Sequence, residues 1–199
     1  MAHWNEIYGS KAPDQVSWFQ AMAEPSMGMI RSSGIAKDAA IVDIGGGASV
    51  LVDELLAAEF TDVSVLDVAE TAIERTITRL GQRAVQVNWI VADVLSWAPR
   101  RTYDLWHDRA VFHFLMEERE RAEYRVTLDK ALKPGSSLII ATFAEDGPER
   151  CSGLPVKRWS ADALANELRG FQLEDSFKQA HMTPSGAAQS FTWARFLKL

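Results

Sequence analysis

The chain has 199 residues, of which 47% are hydrophobic, and this size and composition suit one globular domain with a proper apolar core. Its 21 Lys and Arg against 27 Asp and Glu give a net charge of −6. This charge argues against a nucleic-acid partner, because phosphate contacts need a basic face. The single cysteine, Cys151, rules out an intrachain disulfide and a multi-cysteine metal site. Residues 1–10 lack the pattern of a signal peptide and no apolar run approaches a membrane span, so we expect a cytoplasmic protein without a membrane partner.

Short apolar runs rich in β-branched residues alternate with helical patterns over the first 143 residues. Strands are predicted at 39–44, 62–68, 85–93, 103–108 and 136–143. Helices are predicted at 49–58, at 70–81 and from residue 117 to a stop at Pro134-Gly135. Continuous apolar strands between helices are typical of a parallel sheet that is covered on both faces.

The pattern changes after residue 160. A helix is predicted at 160–170, followed by strands at 171–179 and 190–199 with a short connection between them. These two strands indicate an antiparallel pair at one edge of the sheet. The sequence therefore predicts an α/β fold: a doubly wound, mostly parallel seven-stranded sheet with an antiparallel edge hairpin and helices on both faces. No repeat or linker divides the chain, so we expect a single domain over residues 1–199.

Three of the predicted strands end on or beside an aspartate, namely Asp43, Asp67 and Asp93. Ligands of doubly wound sheets bind at the carboxyl ends of the strands. Asp67 follows Gly47 by about 20 residues, which is the position of a carboxylate that accepts hydrogen bonds from both hydroxyls of a ribose. The alternative for Asp93 is a structural role without a ligand, as the N-cap of a helix.

Three glycines, Gly45, Gly46 and Gly47, stand between the first strand and its helix. Without Cβ atoms, the main chain there can turn tightly and approach a ligand closely. A dinucleotide site has the pattern G-x-G-x-x-G, and here Val50 occupies the last position, so the pattern gives weak support for NAD. A tight turn without a ligand would explain one glycine, but not three glycines together with two further acids at strand ends.

The segments VDIGGGAS, VSVLDVAE and WIVADVLSW resemble, in order and spacing, the nucleotide-site motifs of class I, seven-stranded S-adenosylmethionine (SAM) methyltransferases. The resemblance implies SAM as cofactor and S-adenosylhomocysteine as product. It also implies that Asp43 and the glycine loop face the methionine end, Asp67 the ribose and Asp93 the adenine amino group. The full set of cofactor-binding residues predicted on this basis is Trp18, Asp43, Gly45, Gly46, Gly47, Ser49, Asp67, Val68, Ala92, Asp93, Val94 and His107.

The segment LWHDRAVFHFL, residues 105–115, places polar residues in an apolar setting at the end of the fourth strand. That strand end faces the reactive methyl group in the resembled family. We predict that Asp108 orients the methyl acceptor and that His107 or Arg109 shapes its charge; a structural ion pair is the rival interpretation for Asp108 and Arg109. An Asp followed by a basic residue here resembles thiopurine S-methyltransferase-like enzymes and the small lysine methyltransferases related to the citrate synthase enzyme, within the type 11/12 group. For His113 we expect a structural role.

The segment HWNEIYGSKAPDQVSWF, residues 3–19, resembles the N-terminal cover of the same enzymes, so residues 1–38 are predicted as a helical cover and 39–199 as the core. Trp18, with Tyr8 and Trp4 nearby, would close over the cofactor. An aromatic face attracts a sulfonium cation by roughly 0.5–2 kcal/mol. The alternative is an amphipathic helix that packs its apolar side on the core, and Trp4 suits both interpretations.

The long connection at 144–160 follows the fifth strand, and such loops commonly line binding sites. We expect it to form part of the acceptor pocket, with Cys151, Leu154 and Arg158 as wall residues. Cys151 has no visible activating partner in the sequence, so a nucleophilic role is not predicted.

The sequence thus predicts a SAM-dependent methyltransferase that acts by in-line displacement on a small molecule or a protein lysine side chain. The alternatives are an NAD-binding oxidoreductase and a non-catalytic SAM-binding module. We expect a monomer or weak homodimer, without a nucleic-acid partner. No metal is expected, because the four histidines show no ligand spacing with other donors.

Overall fold

The computed structural model describes residues 2–10 and 16–199. Its centre is a seven-stranded sheet in the order β3-β2-β1-β4-β5-β9-β8. The first five strands run parallel, and β9 lies antiparallel between β5 and β8. The strands of this sheet are β1 Ile41–Ile44, β2 Val63–Asp67, β3 Val87–Val91, β4 Tyr103–Arg109, β5 Leu132–Phe143, β8 Phe171–Met182 and β9 Ala188–Lys198. The predicted fold class is confirmed.

Helices cover both faces of the sheet. They are α1 Ala2–Ser10, α2 Glu24–Ser32, α3 Leu51–Ala57, α4 Glu70–Leu80, α5 Glu118–Ala131 and α6 Ala161–Glu167. One apolar cluster joins α2 and α3 to side chains such as Ile41 and Leu105. A second joins α5 and α6 to Val42, Ile44 and Trp106. Because successive strand side chains point to opposite faces, β1 and β4 contribute to both clusters.

The predicted stop of the long helix at Pro134-Gly135 is wrong. α5 ends at Ala131, and Leu132 begins β5 directly. Leu132 is buried, whereas Pro134 and Gly135 lie in an exposed irregular stretch, where the pairing of β4 with β5 shifts register. Burial of Leu132 therefore decides where the strand begins, and the Pro-Gly pair forms a bulge inside it.

Other boundaries also differ from prediction. Residues 81–86 form a 3₁₀ turn, so β3 is shorter than predicted at both ends. The connection after β5 contains a two-stranded hairpin of its own, β6 Arg150–Cys151 and β7 Leu154–Pro155. The edge hairpin is longer than predicted. Among the helices of the described ranges, none combines the length and apolar character that crossing a bilayer requires.

Candidate cofactor and acceptor site

The three glycines after β1 are explained by close approaches of the main chain. Gly45 has a positive φ of 68°, and a Cβ there would collide with the Val111 side chain. A Cβ on Gly46 would collide with the Asp43 carboxylate, and one on Gly47 would lie 2.7 Å from Asp67 Oδ2. The turn therefore fits between the strand-end acids only if its residues have no Cβ atom, that is, if they are glycines.

Asp67 holds this glycine turn in place from the end of β2. Its Oδ2 accepts a hydrogen bond from the Gly47 N–H at 3.0 Å, and its Oδ1 accepts from the Ala69 N–H at 2.8 Å. Burial raises the pKa of the carboxyl to about 6. Each oxygen keeps a second lone pair, which can accept from a ligand hydroxyl.

Asp43, at the end of β1, is oriented by His107 on the neighbouring strand. Since a carboxylate only accepts, the His107 Nδ1–H donates to Asp43 Oδ1 at 2.7 Å. The other ring nitrogen, Nε2, is 2.9 Å from the Ser26 hydroxyl on α2. All three residues are buried, and no described residue hydrogen-bonds Asp43 Oδ2. A buried carboxylate oxygen without a partner suits a cationic ligand group such as an ammonium.

Two adjoining cavities lie along the carboxyl ends of the strands. The larger, of about 360 Å³, is bordered by residues that follow β2 and β3 and by the aromatic side chains of the N-terminal segment. The smaller, of about 50 Å³, is bordered by Asp43 and the glycine turn. Gly45, Trp18 and Arg109 border both cavities.

The predicted cofactor residues come together at these cavities. Those bordering the larger cavity are Trp18, Gly45, Asp67, Val68, Ala92, Asp93 and Val94. Those bordering the smaller are Trp18, Asp43, Gly45, Gly46, Ser49 and His107. Gly47 borders neither and contributes its N–H to Asp67. The donor and acceptor groups present therefore suit an adenosine in one cavity and an amino-acid tail in the other.

Asp93 lies in the chain just after β3 and is exposed. Its Oδ1 accepts from the Leu95 N–H at 3.0 Å, so one oxygen stabilises a local turn. The helix that the N-cap alternative requires is absent from residues 94–97, which form a turn and coil.

The role predicted for Asp108 as the acceptor-orienting group needs correction. Its buried carboxylate borders neither cavity. Oδ1 accepts from the N–H groups of Val111 and Phe112 at 2.9 and 3.3 Å, and Oδ2 accepts from the Tyr124 hydroxyl at 2.6 Å. Alternation along β4 is the reason: His107 and Arg109 share the cavity face, whereas Asp108 faces α5.

Among the described residues, Arg109 does not form the structural ion pair of the rival interpretation. Its Nη1–H donates to the Trp18 carbonyl at 3.0 Å, and Nε and Nη2 are buried without an acceptor in the described part of the chain. Burial lowers its pKa to about 10. Nearby, His113 is fully buried outside both cavities and accepts from the Phe143 N–H at 3.4 Å, and burial lowers its pKa to about 3. This geometry agrees with a structural role for His113.

Aromatic side chains of the N-terminal segment form one wall of the larger cavity. Trp18 packs edge-on against Trp4 and Tyr8, with ring centroids 6.0 and 5.9 Å apart. Trp4 also packs on Phe114. Residues 1 and 11–15 of the predicted cover lie outside the described residues.

The loop at 144–160 contributes two of its three predicted wall residues. Cys151 and Leu154 border the larger cavity. Arg158 does not; it donates to the Gly147 carbonyl and pairs with Glu149 at 3.2 Å near the surface. Burial raises the pKa of Cys151 to about 11, which disfavours a thiolate nucleophile.

Sequence reasoning missed two groups at the site. Ser26 is the one polar residue among the buried residues of α2, but α2 also carries Glu24, Arg31 and Ser32, so the sequence alone does not single it out. Glu120, which borders the larger cavity, gave no separate signal, because it lies in a charged helix segment. Within the described ranges, no cluster of His, Cys, Asp or Glu could hold a metal ion.

A family model described as a methyltransferase domain matches residues 42–138. Malonyl-[acyl-carrier protein] O-methyltransferase 2 of Ilyobacter polytropus is 27% identical over 108 residues, which cover 53% of this chain and 40% of that protein. Nodulation protein S of Bradyrhizobium diazoefficiens is 27% identical over 172 residues, which cover 85% of this chain and 78% of that protein. The chain thus spans less than half of the first relative and more than three quarters of the second.

The fold is shared with the 1,6-didemethyltoxoflavin-N1-methyltransferase of Burkholderia thailandensis, solved with 1,6-didemethyltoxoflavin and S-adenosylhomocysteine. The TM-score is 0.70 at 17% identity, and the match covers 99% of this chain and 83% of that chain. The likeness to the thiopurine and citrate synthase lysine enzymes stays a prediction. The domain match runs from β1 into β5 and includes Asp43, Asp67 and Asp93. The matched segment is just under half of the chain, and together with the shared fold it confirms the predicted resemblance to class I SAM-dependent methyltransferases.

Proposed function

We propose that this chain transfers the methyl group of SAM to a small-molecule acceptor by in-line displacement. The observation that carries the proposal is the convergence of three strand-end acids and a glycine turn on two adjoining cavities. Asp43 borders the smaller cavity, and Asp67 and Asp93 border the larger. This distribution matches a ligand with a cationic amino-acid tail and a nucleoside body.

Each acid is assigned the ligand group that its free acceptors suit. Asp43 Oδ2, which has no described partner, accepts from the ammonium of the methionine end. Asp67 accepts from the ribose hydroxyls while it also holds the glycine turn. Asp93 accepts from the adenine amino group through the oxygen that Leu95 does not use. His107 acts as a positioning residue, because it fixes Asp43 with one oxygen left over.

The acceptor is placed against the remaining wall of the larger cavity, which is formed by Phe114, Cys151 and Leu154. Trp4 and Trp18 border the same cavity from the N-terminal segment. A cavity of about 360 Å³ with aromatic residues along one wall suits a small molecule better than a lysine on a protein surface. The names of the relatives, an O-methyltransferase acting on malonyl-[acyl-carrier protein] and an N1-methyltransferase crystallised with 1,6-didemethyltoxoflavin, support a diverse range of acceptors.

Bound SAM would supply a methyl group attached to a cationic sulfur, and the sulfur would leave as a neutral thioether once the acceptor attacks the methyl carbon. The chain has to align the acceptor with that methyl group and exclude water. Trp4, Tyr8 and Trp18 provide apolar enclosure and an aromatic environment that favours the cationic sulfur. Asp108 takes no part, since its oxygens are occupied within the protein.

The first test is calorimetric binding of S-adenosylhomocysteine, compared with NAD⁺ and NADH. We expect micromolar affinity for S-adenosylhomocysteine and none for the dinucleotides. Asp67→Ala should weaken binding by about tenfold or more, because a charged-group hydrogen bond is worth roughly 1.5–3 kcal/mol. The matched control is Asp38→Ala, at an exposed aspartate away from the cavities. Binding of NADH without S-adenosylhomocysteine would overturn the proposal in favour of an oxidoreductase.

The second test measures methyl transfer. Acceptors that raise the melting temperature in the presence of S-adenosylhomocysteine are incubated with SAM, and product is followed by mass increase of one methyl group. Turnover supports the proposal. Cofactor binding without turnover on any stabilising compound would favour a non-catalytic SAM-binding module.

A further inference from the structure

Arg109 is a buried cation that forms no ion pair with a described residue, although Asp43 attracts it at longer range. Within the described part of the chain it forms no ion pair, and its one hydrogen bond runs from Nη1 to the Trp18 carbonyl. Nε and Nη2 are buried and donate to no described residue. Buried polar groups are normally hydrogen-bonded, and a buried charge is normally paired, so these two donors indicate a missing acceptor.

The geometry of the two donors specifies that acceptor. Nε–H and one Nη2–H lie on the same edge of the planar guanidinium and point in parallel. This edge matches the two oxygens of a carboxylate or the corresponding pair of another oxyanion. The third nitrogen, Nη1, already donates to the Trp18 carbonyl, so Nε and Nη2 are the donors left for a further acceptor.

The charges around the cavities separate the two ends of the site. Asp67, Asp93 and Glu120 border the larger cavity, and Arg109 is the only Lys or Arg among the described residues that border either cavity. Its guanidinium lies 5.2 Å from the centroid of the Phe191 ring, on β9. Cys151, which borders the same cavity, comes from the hairpin after β5. The cation therefore stands on the side assigned to the acceptor, away from the strand-end acids of β2 and β3.

We propose that Arg109 binds an anionic group of the methyl acceptor, so that the substrates are small organic acids carrying a carboxylate or another oxyanion. This inference rests on the proposed function. The anion reaches Nε and Nη2 when the side chain rotates or the segment around Trp18 moves aside, since both atoms are shielded from solvent in the closed arrangement. The bound anionic group also places a negative charge between the guanidinium and the cationic sulfur. Without it, these two cations would repel each other.

The carboxylate of the cofactor itself is the competing occupant, because Arg109 also borders the smaller cavity. The guanidinium lies beside β9, on the side from which the hairpin after β5 supplies Cys151 to the larger cavity, and this favours the acceptor. Asp43, which borders the smaller cavity and keeps one uncommitted oxygen, would bind the cofactor's amino group under either alternative. The experiment is designed to distinguish the two.

The test compares carboxylates with their neutral amides on protein saturated with S-adenosylhomocysteine. The probes are benzoate, salicylate and phenylacetate, each paired with its carboxamide, and affinity is measured by calorimetry. We expect at least one carboxylate to bind about tenfold or more tightly than its amide, as for a charge-assisted bidentate contact. Arg109→Gln should abolish this preference, and Arg109→Lys, which keeps the charge without the fork, should retain only part of it. The exposed Arg119 supplies the matched control, Arg119→Gln, which should keep the full preference.

Three results would overturn the inference. One is equal affinity within every pair, including no binding by any of the six compounds. Another is a carboxylate preference that survives in both Arg109 variants. The third is a loss of about tenfold or more in S-adenosylhomocysteine affinity in Arg109→Gln, which would assign the fork to the cofactor carboxylate. Failure of the proposed function is seen separately, as absence of S-adenosylhomocysteine binding to the unaltered protein.

Discussion

Asp43 and His107 are register partners on adjacent parallel strands, and the His107 Nδ1–H donates to Asp43 Oδ1 at 2.7 Å. Ser26 holds the other side of the imidazole from α2. The pair joins the glycine turn of β1 to the end of β4, and it leaves one oxygen of the acid for a ligand. Much of the proposed cofactor chemistry depends on this contact.

His107→Ala should reduce the affinity for S-adenosylhomocysteine by about tenfold, because Asp43 loses the donor that orients it, and stability should fall by about 1–3 kcal/mol. Ser26→Ala should give a smaller loss in both quantities. Ser32→Ala, on the same helix, is the matched control; it should leave the affinity unchanged and cost less stability than Ser26→Ala, since Ser32 is exposed and its hydroxyl donates only to the Met29 carbonyl. Affinity is measured by calorimetry and stability by urea unfolding. An unchanged affinity in a folded His107→Ala protein would contradict the positioning role.

Asp108 should make stability depend on pH in the opposite sense to most surface acids. Burial raises the pKa of Asp108 to about 6, so the folded protein binds its proton more tightly than the unfolded chain does. The stability that Asp108 contributes is therefore fully present below its pKa in the unfolded chain, near 3.9. It is lost as the pH rises through its pKa in the folded protein, about 6.

The measurement is the free energy of unfolding from about pH 4 to about pH 7 for the unaltered protein and for Asp108→Asn. Asparagine can still accept from the N–H groups of Val111 and Phe112 and meet the Tyr124 hydroxyl, so the fold should persist. The unaltered protein should lose stability relative to the variant, by more than about 1 kcal/mol, as the pH rises. Parallel profiles would show that Asp108 does not titrate in this range.

Gly46→Ala should impair both stability and cofactor binding. The new methyl group collides with the Asp43 carboxylate, so the acid or the turn has to move. We expect S-adenosylhomocysteine affinity to fall by about tenfold or more and stability by about 1–3 kcal/mol, as for overpacked sites. Gly28→Ala is the matched control, since a Cβ there meets nothing within 4 Å in α2. A helix-interior Gly→Ala change should be neutral or stabilising by up to about 1 kcal/mol. If both variants behave alike in melting and calorimetry, the close approach at Gly46 is unimportant.

The sequence by itself determined the order of strands and helices and the positions of Asp43, Asp67 and Asp93 at strand ends. It could do so because these features depend on local patterns: apolar runs, glycines that release the main chain, and an acid at fixed spacing. The residues involved are close in the chain or follow from the carboxyl-end rule for parallel sheets.

The tertiary structure decided which side chains of 107–109 share a face and what each one contacts. Period-two alternation turns Asp108 toward Tyr124 and leaves His107 and Arg109 at the cavities. The contact of His107 with Ser26 joins residues 81 apart in the chain, and that of Arg109 with the Trp18 carbonyl joins residues 91 apart. Packing of distant elements, rather than any local pattern, therefore left Nε and Nη2 of Arg109 without an acceptor among the described residues, since the partners available to a buried donor are set by whichever segments fold against it.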